Sequence, residues 1–187
     1  MTILIKNGRL INPSENLDKV MDIFVEDGII KEKAESIEKQ ADTVIDAAGC
    51  YVMPGLIDLH VHFRDPGLTY KEDIETGSKA AAKGGFTTVC CMPNTKPVVD
   101  NVETVKYIIE KGEKTGLTNV LPVGAVTKNM AGVEITDVEE LKKAGICAIS
   151  EDGKSVMNSG VYRKAMKNAA KANVPVLAHC EDINLVE

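Results

Sequence analysis

The segment spanning residues 54–67 constrains the fold more than any other part of this chain. It begins and ends with a Pro-Gly pair, and its residues alternate in polarity between them. In a β-strand, alternate side chains point to opposite faces of the sheet. One face of the predicted strand is ionisable and carries Asp58, His60, His62 and Arg64. The other face is apolar and carries Ile57, Leu59, Val61 and Phe63.

Two imidazoles on one face of a strand are well placed to bind one metal ion together. The alternative is an antiparallel strand whose polar face lies in water. That alternative explains the alternation, but it does not explain why this face holds two of the three histidines in the chain. We therefore predict a metal site at His60 and His62.

The composition is that of an ordinary globular protein, with 44% hydrophobic and 27% charged residues among 187. The net charge of -6 and the dispersed lysines predict no nucleic-acid partner. No uncharged apolar run approaches the ~18 residues that span a bilayer, and the N terminus lacks signal-peptide features. Five cysteines without a C-x-x-C pair fit a reducing compartment. We expect no membrane association and a cytoplasmic location.

Residues 1–53 read as short strands, and they predict a small β unit that forms the N-terminal half of a composite β-sandwich. Asn7-Gly8 and Asp27-Gly28 are typical of tight hairpin turns. Further short strands are predicted at residues 44–46 and 51–53. Because two hairpins alone bury little core, we expect this unit to need a partner sheet.

From residue 54 onward, predicted strands alternate with predicted helices, which is typical of a parallel sheet. The later strands are continuous apolar runs, as expected for strands buried on both faces. The strands are predicted at residues 56–62, 87–92, 119–126, 146–150 and 174–179. Capping patterns predict helices that start near Thr69, Asp100, Thr136 and either Asn158 or Ser159.

This alternation fits either an open doubly wound sheet or part of a (β/α)₈ barrel. A dinucleotide-binding sheet would carry a G-x-G-x-x-G turn after its first strand, whereas residues 64–67 read Arg-Asp-Pro-Gly. We therefore predict an α/β fold in which residues 54–187 form a partial TIM-type (β/α)₈ barrel of about five strands and four helices. The small β unit precedes it.

All three histidines fall at the carboxyl ends of predicted strands, with His60 and His62 on the first and His179 on the fifth. These ends share one rim of a parallel sheet, where barrel enzymes carry their active sites. Asp152 follows the fourth strand, and its two oxygens suit it to bridge two ions. Imidazole and carboxylate ligands together favour Zn²⁺ or a similar cation.

Three further side chains belong to the predicted site. Asp58 lies one pleat deeper than His60, so we expect it to orient a histidine or to make a structural hydrogen bond. Arg64 is suited to bind a substrate carboxylate, and its alternative is a surface ion pair with Asp65 or Glu72. Asn94 is a neutral hydrogen-bond partner for the same carboxylate, or a turn residue.

Residues 54–62 resemble the first-strand signature of the amidohydrolase superfamily. Residues 63–67, and the run Gly-Gly-Phe-Thr-Thr-Val-Cys-Cys-Met-Pro-Asn-Thr at residues 84–95, resemble the dihydroorotase family in its type I bacterial form. The resemblance extends over the whole chain. It implies zinc-dependent, reversible cyclisation of N-carbamoyl-L-aspartate to (S)-dihydroorotate in pyrimidine biosynthesis. The partner would be this small-molecule substrate, and a homo-oligomer or a complex with aspartate transcarbamoylase is also implied.

The resemblance also implies residue roles. His60 and His62 would bind the more buried zinc ion, Asp152 would bridge two zinc ions, and His179 would bind the second. His62, Arg64 and Asn94 would contact the substrate. The family pattern needs a further histidine after the sixth strand and an aspartate after the eighth as general acid/base.

We expect neither later group in this chain, because it has no histidine after His179 and reaches only the fifth predicted strand. We expect the general acid/base aspartate to lie beyond residue 187 and the barrel to be truncated after its fifth strand. One zinc ion or none would then bind stably, and the isolated chain would have no useful turnover.

Two alternatives remain open. Hydantoinases, dihydropyrimidinases and allantoinases share the fold, but they usually bridge their metals with a carboxylated lysine at the fourth strand, where this chain reads Ser150-Glu151-Asp152. A non-catalytic scaffold subunit that supports a partner enzyme is the second alternative, although the retained histidines argue for a working metal site.

Overall fold

The computed structural model of the chain describes residues 1–186. Contacts divide the chain into two compact units, Met1–Pro54 and Gly55–Glu187. Each unit is described by itself below. Among the described residues, no helix is both long and apolar enough to cross a membrane.

The first unit is a single five-stranded sheet. Strands β1, β2 and β3 pair antiparallel in a meander, and β4 and β5 both pair parallel to β1. The order across the sheet is β3-β2-β1-β4, with β5 beside the second half of β1. The strands are β1 (Thr2–Asn12), β2 (Leu17–Glu26), β3 (Ile29–Ala34), β4 (Thr43–Asp46) and β5 (Tyr51–Val52).

One of the two predicted hairpin turns is wrong. Strand β1 runs straight through Asn7-Gly8, where the register with β2 shifts and Asn7 takes a positive φ of 63°. The Asn7 backbone N–H donates to the side chain of Asp22 on β2, so the chain bulges there instead of reversing. The reversal lies at the 3₁₀ turn Pro13–Glu15, and the second predicted turn, Asp27-Gly28, is confirmed.

Asp22 stabilises this bulge from within the core of the unit. Its carboxylate is buried, accepts the backbone N–H groups of Asn7 at 2.9 Å and Ile37 at 3.0 Å, and lies 3.6 Å from the Lys6 ammonium. Burial opposes ionisation of Asp22, but the two backbone donors and Lys6 outweigh it and hold the pKa of Asp22 below its ordinary value.

Asp22→Asn is therefore expected to lower the free energy of unfolding at pH 7 by about 2 kcal/mol, because one backbone donor would face an amide NH₂. Because the folded pKa of Asp22 is depressed, its contribution is full above the unfolded value of about 3.9 and is lost as pH falls through the folded value. Urea titrations at several pH values measure this. The control is Asp18→Asn, which alters an exposed pair with Arg9 and should change little. An equal gap between wild type and Asp22→Asn at every pH would contradict the prediction.

The second unit is a parallel five-stranded sheet whose strands alternate with helices. The strands are β6 (Leu56–Val61), β7 (Phe86–Cys91), β8 (Asn119–Ala125), β9 (Ala148–Ser150) and β10 (Val176–Leu177). The helices between them are α1 (Ile74–Lys83), α2 (Val102–Thr115), α3 (Val138–Ala144) and α4 (Ser159–Lys171). The order across the sheet, β10-β9-β8-β7-β6, follows the chain order.

This strand order decides between the two predicted architectures. A doubly wound sheet reverses its order at a switch point, whereas a barrel adds each strand next to the previous one. The sheet is a curled half-barrel, and its strand β7 packs on both faces. Val89 and Cys91 pack into the larger cluster with the helices, while the alternate residues Cys90 and Met92 pack into a second cluster. The α/β half-barrel prediction is confirmed.

Two of the four predicted helix starts shift by one residue, and one shifts by more. Helix α1 starts after Asp73 rather than at Thr69, because Asp73 accepts from the Thr76 backbone N–H. Asn101 replaces Asp100 as the cap of α2, and Asp137 replaces Thr136 as the cap of α3. Thr136 does not cap α3, because its hydroxyl donates a hydrogen bond to the Ala125 carbonyl. Asn158 caps α4 as predicted.

Candidate active site

The carboxyl ends of the strands bring the predicted site residues to one rim of the half-barrel. His60 lies on β6, and His62 and Arg64 directly follow it. Asn94 follows β7, Asp152 follows β9 and His179 follows β10. All lie in the second unit.

Strand β6 is less regular than its alternating sequence predicts. Asp58 pairs with Val89 and Val61 pairs with Cys91, so β6 carries one residue more than β7 between these pairs. The bulge breaks the predicted two-faced alternation, and Ile57 and Leu59 are 61% and 59% exposed.

The bulge also decides what Asp58 touches. Its carboxylate accepts the backbone N–H of His60 at 3.0 Å. Among the described residues its hydrogen bond goes to this backbone group and not to an imidazole. Asp58 thus makes the structural hydrogen bond, to the main chain that carries His60.

Three candidate metal-binding residues, His60, His62 and Asp152, gather on this rim. His60 Nε2 lies 3.2 Å from Asp152 Oδ1, and His62 Nε2 lies 3.3 Å from Asp152 Oδ2. The candidate ligand atoms of these three residues all lie within 4.8 Å of one another. The Asp152 side chain is buried, whereas that of His60 is half-exposed.

These separations fit a metal centre. Ligands about 2.0–2.2 Å from a tetrahedral zinc ion lie about 3.3–3.6 Å from one another. Charge-assisted hydrogen bonds between the same groups are usually shorter, about 2.7–2.9 Å. The distances of 3.2 and 3.3 Å thus match the spacing of two ligands on one ion better than that of a strong ion pair.

His179 reaches the same carboxylate from the fifth strand. Its Nδ1 lies 3.4 Å from Asp152 Oδ1, and its Nε2 lies 2.9 Å from a carboxylate oxygen of Glu181. Asp152 therefore faces imidazoles on three sides. The contact between His179 and Glu181 could not be predicted from the sequence, since two residues in a loop carry no periodic pattern.

Asn94 makes hydrogen bonds to two of the three candidate metal-binding residues. Its Oδ1 lies 3.1 Å from His62 Nδ1, and its Nδ2 donates to Asp152 Oδ2 at 3.1 Å. Because an amide oxygen can only accept, His62 Nδ1 carries the proton. The unprotonated Nε2 of His62 is thereby turned toward Asp152, as a metal ligand requires.

The charge state of His62 agrees with this arrangement. Burial, followed by the positive charge of Arg64, holds the pKa of His62 below its ordinary value. The ring is therefore neutral at pH 7, and a neutral imidazole is the form that binds metal ions.

Arg64 provides the positive charge beside the cluster. Its backbone is left-handed, with φ at 57°, and its Nη1 donates to Asn94 Oδ1 at 3.4 Å. Among residues 1–186 it makes no ion pair with Asp65 or Glu72, because the Asp65 carboxylate is turned to Lys111. The guanidinium and the Asn94 amide together offer donors next to the candidate metal ligands.

A parallel half-barrel with imidazoles and a carboxylate on its carboxyl-end rim defines the class of metal-dependent amidohydrolase-type barrels. An L-hydantoinase (dihydropyrimidinase) from Arthrobacter aurescens has this fold, with a TM-score of 0.81 and 25% identity, over 98% of this chain and 41% of that chain.

The family model described as "Dihydro-orotase-like" matches residues 49–187, and the chain belongs to this family. The dihydroorotase of Pelobacter propionicus is 49% identical over 187 residues, which is 100% of this chain and 44% of that protein. The dihydroorotase of Geobacter sulfurreducens is 51% identical over the same shares. The chain thus spans less than half the length of these curated relatives.

Proposed function

We propose that this chain supplies the metal-binding and carboxylate-binding part of a dihydroorotase active site. The reaction is the reversible cyclisation of N-carbamoyl-L-aspartate to (S)-dihydroorotate. One observation supports it most: Asn94 touches both a histidine–carboxylate cluster and the guanidinium of Arg64. The candidate metal ligands and the Arg64 guanidinium, which can receive a carboxylate, are thereby held side by side.

His60, His62 and Asp152 would hold the first metal ion, and Asp152 with His179 would contribute to a second. Zinc suits this set of nitrogen and oxygen ligands. The chemistry that zinc supplies in such a site is Lewis acidity toward water and an amide carbonyl. Asp58 steadies the main chain of His60, and Asn94 keeps His62 in the tautomer that leaves Nε2 unprotonated.

Substrate recognition would rest on Arg64, with Asn94 and His62 beside it. The planar guanidinium can meet a carboxylate with two parallel hydrogen bonds. Both N-carbamoyl-L-aspartate and dihydroorotate carry such a carboxylate, attached to the carbon two bonds away from the carbonyl carbon that reacts. A homo-oligomer, or a complex with aspartate transcarbamoylase, belongs to the same proposal.

A hydantoinase-like activity on uncharged rings is the second candidate, and the likeness to the Arthrobacter L-hydantoinase favours it. Two features weigh against it. Arg64 would face an uncharged part of such a ring, and β9 ends in Ser150 and then Glu151-Asp152, without a lysine that could be carboxylated.

Turnover separates the two candidates. In the gene product that contains these 187 residues, kcat/KM for dihydroorotate is expected to exceed that for hydantoin or 5,6-dihydrouracil by at least about 100-fold, the usual size of an effect that removes a paired charge. A chelator should abolish the activity, and zinc should restore it. Preference for the uncharged rings would favour the hydantoinase alternative. A metal-free protein without turnover that co-purifies with a transcarbamoylase would favour the scaffold alternative.

A further inference from the structure

An ion pair between the buried Asp65 and the partly exposed Lys111 lies next to Arg64 and joins its loop to α2. The side chain of Asp65 is fully buried and pairs with Lys111 Nζ at 2.5 Å. Its other oxygen accepts from the Tyr107 hydroxyl at 2.9 Å. Asp65 also accepts the backbone N–H of Ile74 at 3.3 Å, where α1 begins. One carboxylate thus ties the loop after β6 to both α1 and α2.

The same loop is fixed on its other side to the loop that carries Asn94. The Lys96 backbone N–H donates to the Pro66 carbonyl at 3.0 Å. Gly67 has a φ of +85°, and a Cβ at that position would collide with the Lys96 carbonyl. The loops bearing Arg64 and Asn94 are therefore held against each other at the backbone.

Arg64 directly precedes these two attachments, and its backbone has a conformation that a non-glycine residue rarely adopts. Such a backbone persists only where the surroundings determine it. Burying Asp65 is costly unless it is paired, and the bond with Asp65 keeps Lys111 charged, since it holds the pKa of Lys111 above its ordinary value.

We propose that Asp65, Tyr107 and Lys111 are positioning residues that aim the Arg64 guanidinium at the substrate carboxylate. They act through Arg64 and touch neither substrate nor metal ligands. This inference rests on the proposed function for the identity of the substrate, but the geometry of Arg64 can be tested without turnover.

The kinetic test uses Lys111→Met and Tyr107→Phe. Asp65→Asn is avoided, because losing the carboxylate that joins the loop to α1 and α2 would destabilise the fold. Both variants are expected to raise KM for dihydroorotate about tenfold while kcat stays within about twofold, because only binding through Arg64 weakens. A merely structural role would instead lower the active fraction, so apparent kcat would fall at constant KM. Lys111→Arg should restore KM. The control, Lys114→Met, alters an exposed lysine on the same helix.

The second measurement needs no activity. Phenylglyoxal modification of Arg64, followed by peptide mass spectrometry on the same protein, is expected to be several-fold faster in Lys111→Met than in wild type. The rate at the exposed Arg163 should not change. If wild type fails to turn over dihydroorotate, the proposed function fails while the Arg64 rate still tests the positioning role. An unchanged Arg64 rate, or an unchanged KM in an active enzyme, would overturn the inference.

Discussion

Asp152→Asn is expected to abolish the stabilisation that zinc confers on this protein. A ligand that binds only the folded state raises stability by about 2.7 kcal/mol at 100 times its dissociation constant. Asp152 offers two charged oxygens to three imidazoles, and asparagine would offer one neutral oxygen. The affinity should fall by more than the ~10–100-fold typical of losing an outer partner of a metal ligand.

Thermal unfolding with zinc and with chelator measures this effect. Exposed thiols compete for added zinc, so every sample carries Cys50→Ser and Cys180→Ser. In chelator, Asp152→Asn should unfold no earlier than the parent, because removing a buried charge lifts a desolvation cost. A zinc-induced rise in Tm as large as that of the parent would contradict the assignment of Asp152 as a ligand.

Glu151→Gln is the matched contrast, one residue away. Glu151 is buried, and it accepts the backbone N–H groups of Val126 and Thr127, each at 3.0 Å, and the Thr127 hydroxyl. Glutamine would turn an NH₂ group toward some of these donors, which should cost about 1–3 kcal/mol in chelator. The zinc-induced rise should remain. Asp152→Asn would then lose zinc binding while keeping its stability in chelator, and Glu151→Gln would lose stability while keeping zinc binding.

The rim of the site could be predicted from the sequence because it follows from chain direction. Strands that all run the same way must end at the same edge, so His60, Asp152 and His179 were predicted to lie together without any knowledge of distances. The alternation of apolar runs with capped helices likewise predicted the half-barrel. Apolar runs and helix caps recur along the chain, and such periodic patterns are visible in the sequence itself.

The contacts that orient the site could not be predicted, because they depend on register and on distant pairings. One extra residue in β6 places Asp58 against the His60 backbone, and no spacing in the sequence marks this bulge. Asn7-Gly8 has the composition of a turn, yet pairing on both sides carries β1 through it. The bond between Asp65 and Lys111 joins residues 46 positions apart.

Arg64→Met is expected to remove the preference for a carboxylate-bearing ring. Losing one partner of a desolvated, hydrogen-bonded charge pair costs about 2–5 kcal/mol, so kcat/KM for dihydroorotate should fall by about 30-fold to several thousand-fold. Activity toward 5,6-dihydrouracil, the same ring without the carboxylate, should change little or rise. For Arg64→Lys, kcat/KM for dihydroorotate should lie between the values for wild type and Arg64→Met, since an ammonium keeps the charge but lacks the planar fork of donors. Steady-state kinetics with both rings measure the ratio.

The ratio of the two specificity constants is what isolates the role of Arg64. Arg64 also touches Asn94, which holds His62, so its loss could disturb the metal ligands as well. Disturbed metal ligands would lower kcat/KM for both rings in the same proportion, because hydrolysis of either ring needs the same attack on an amide carbonyl. Loss of carboxylate binding slows dihydroorotate alone. Arg163→Met, which removes an exposed guanidinium on α4, should leave both constants unchanged. A proportional fall for both rings in Arg64→Met would assign Arg64 to the support of the metal centre instead of substrate recognition.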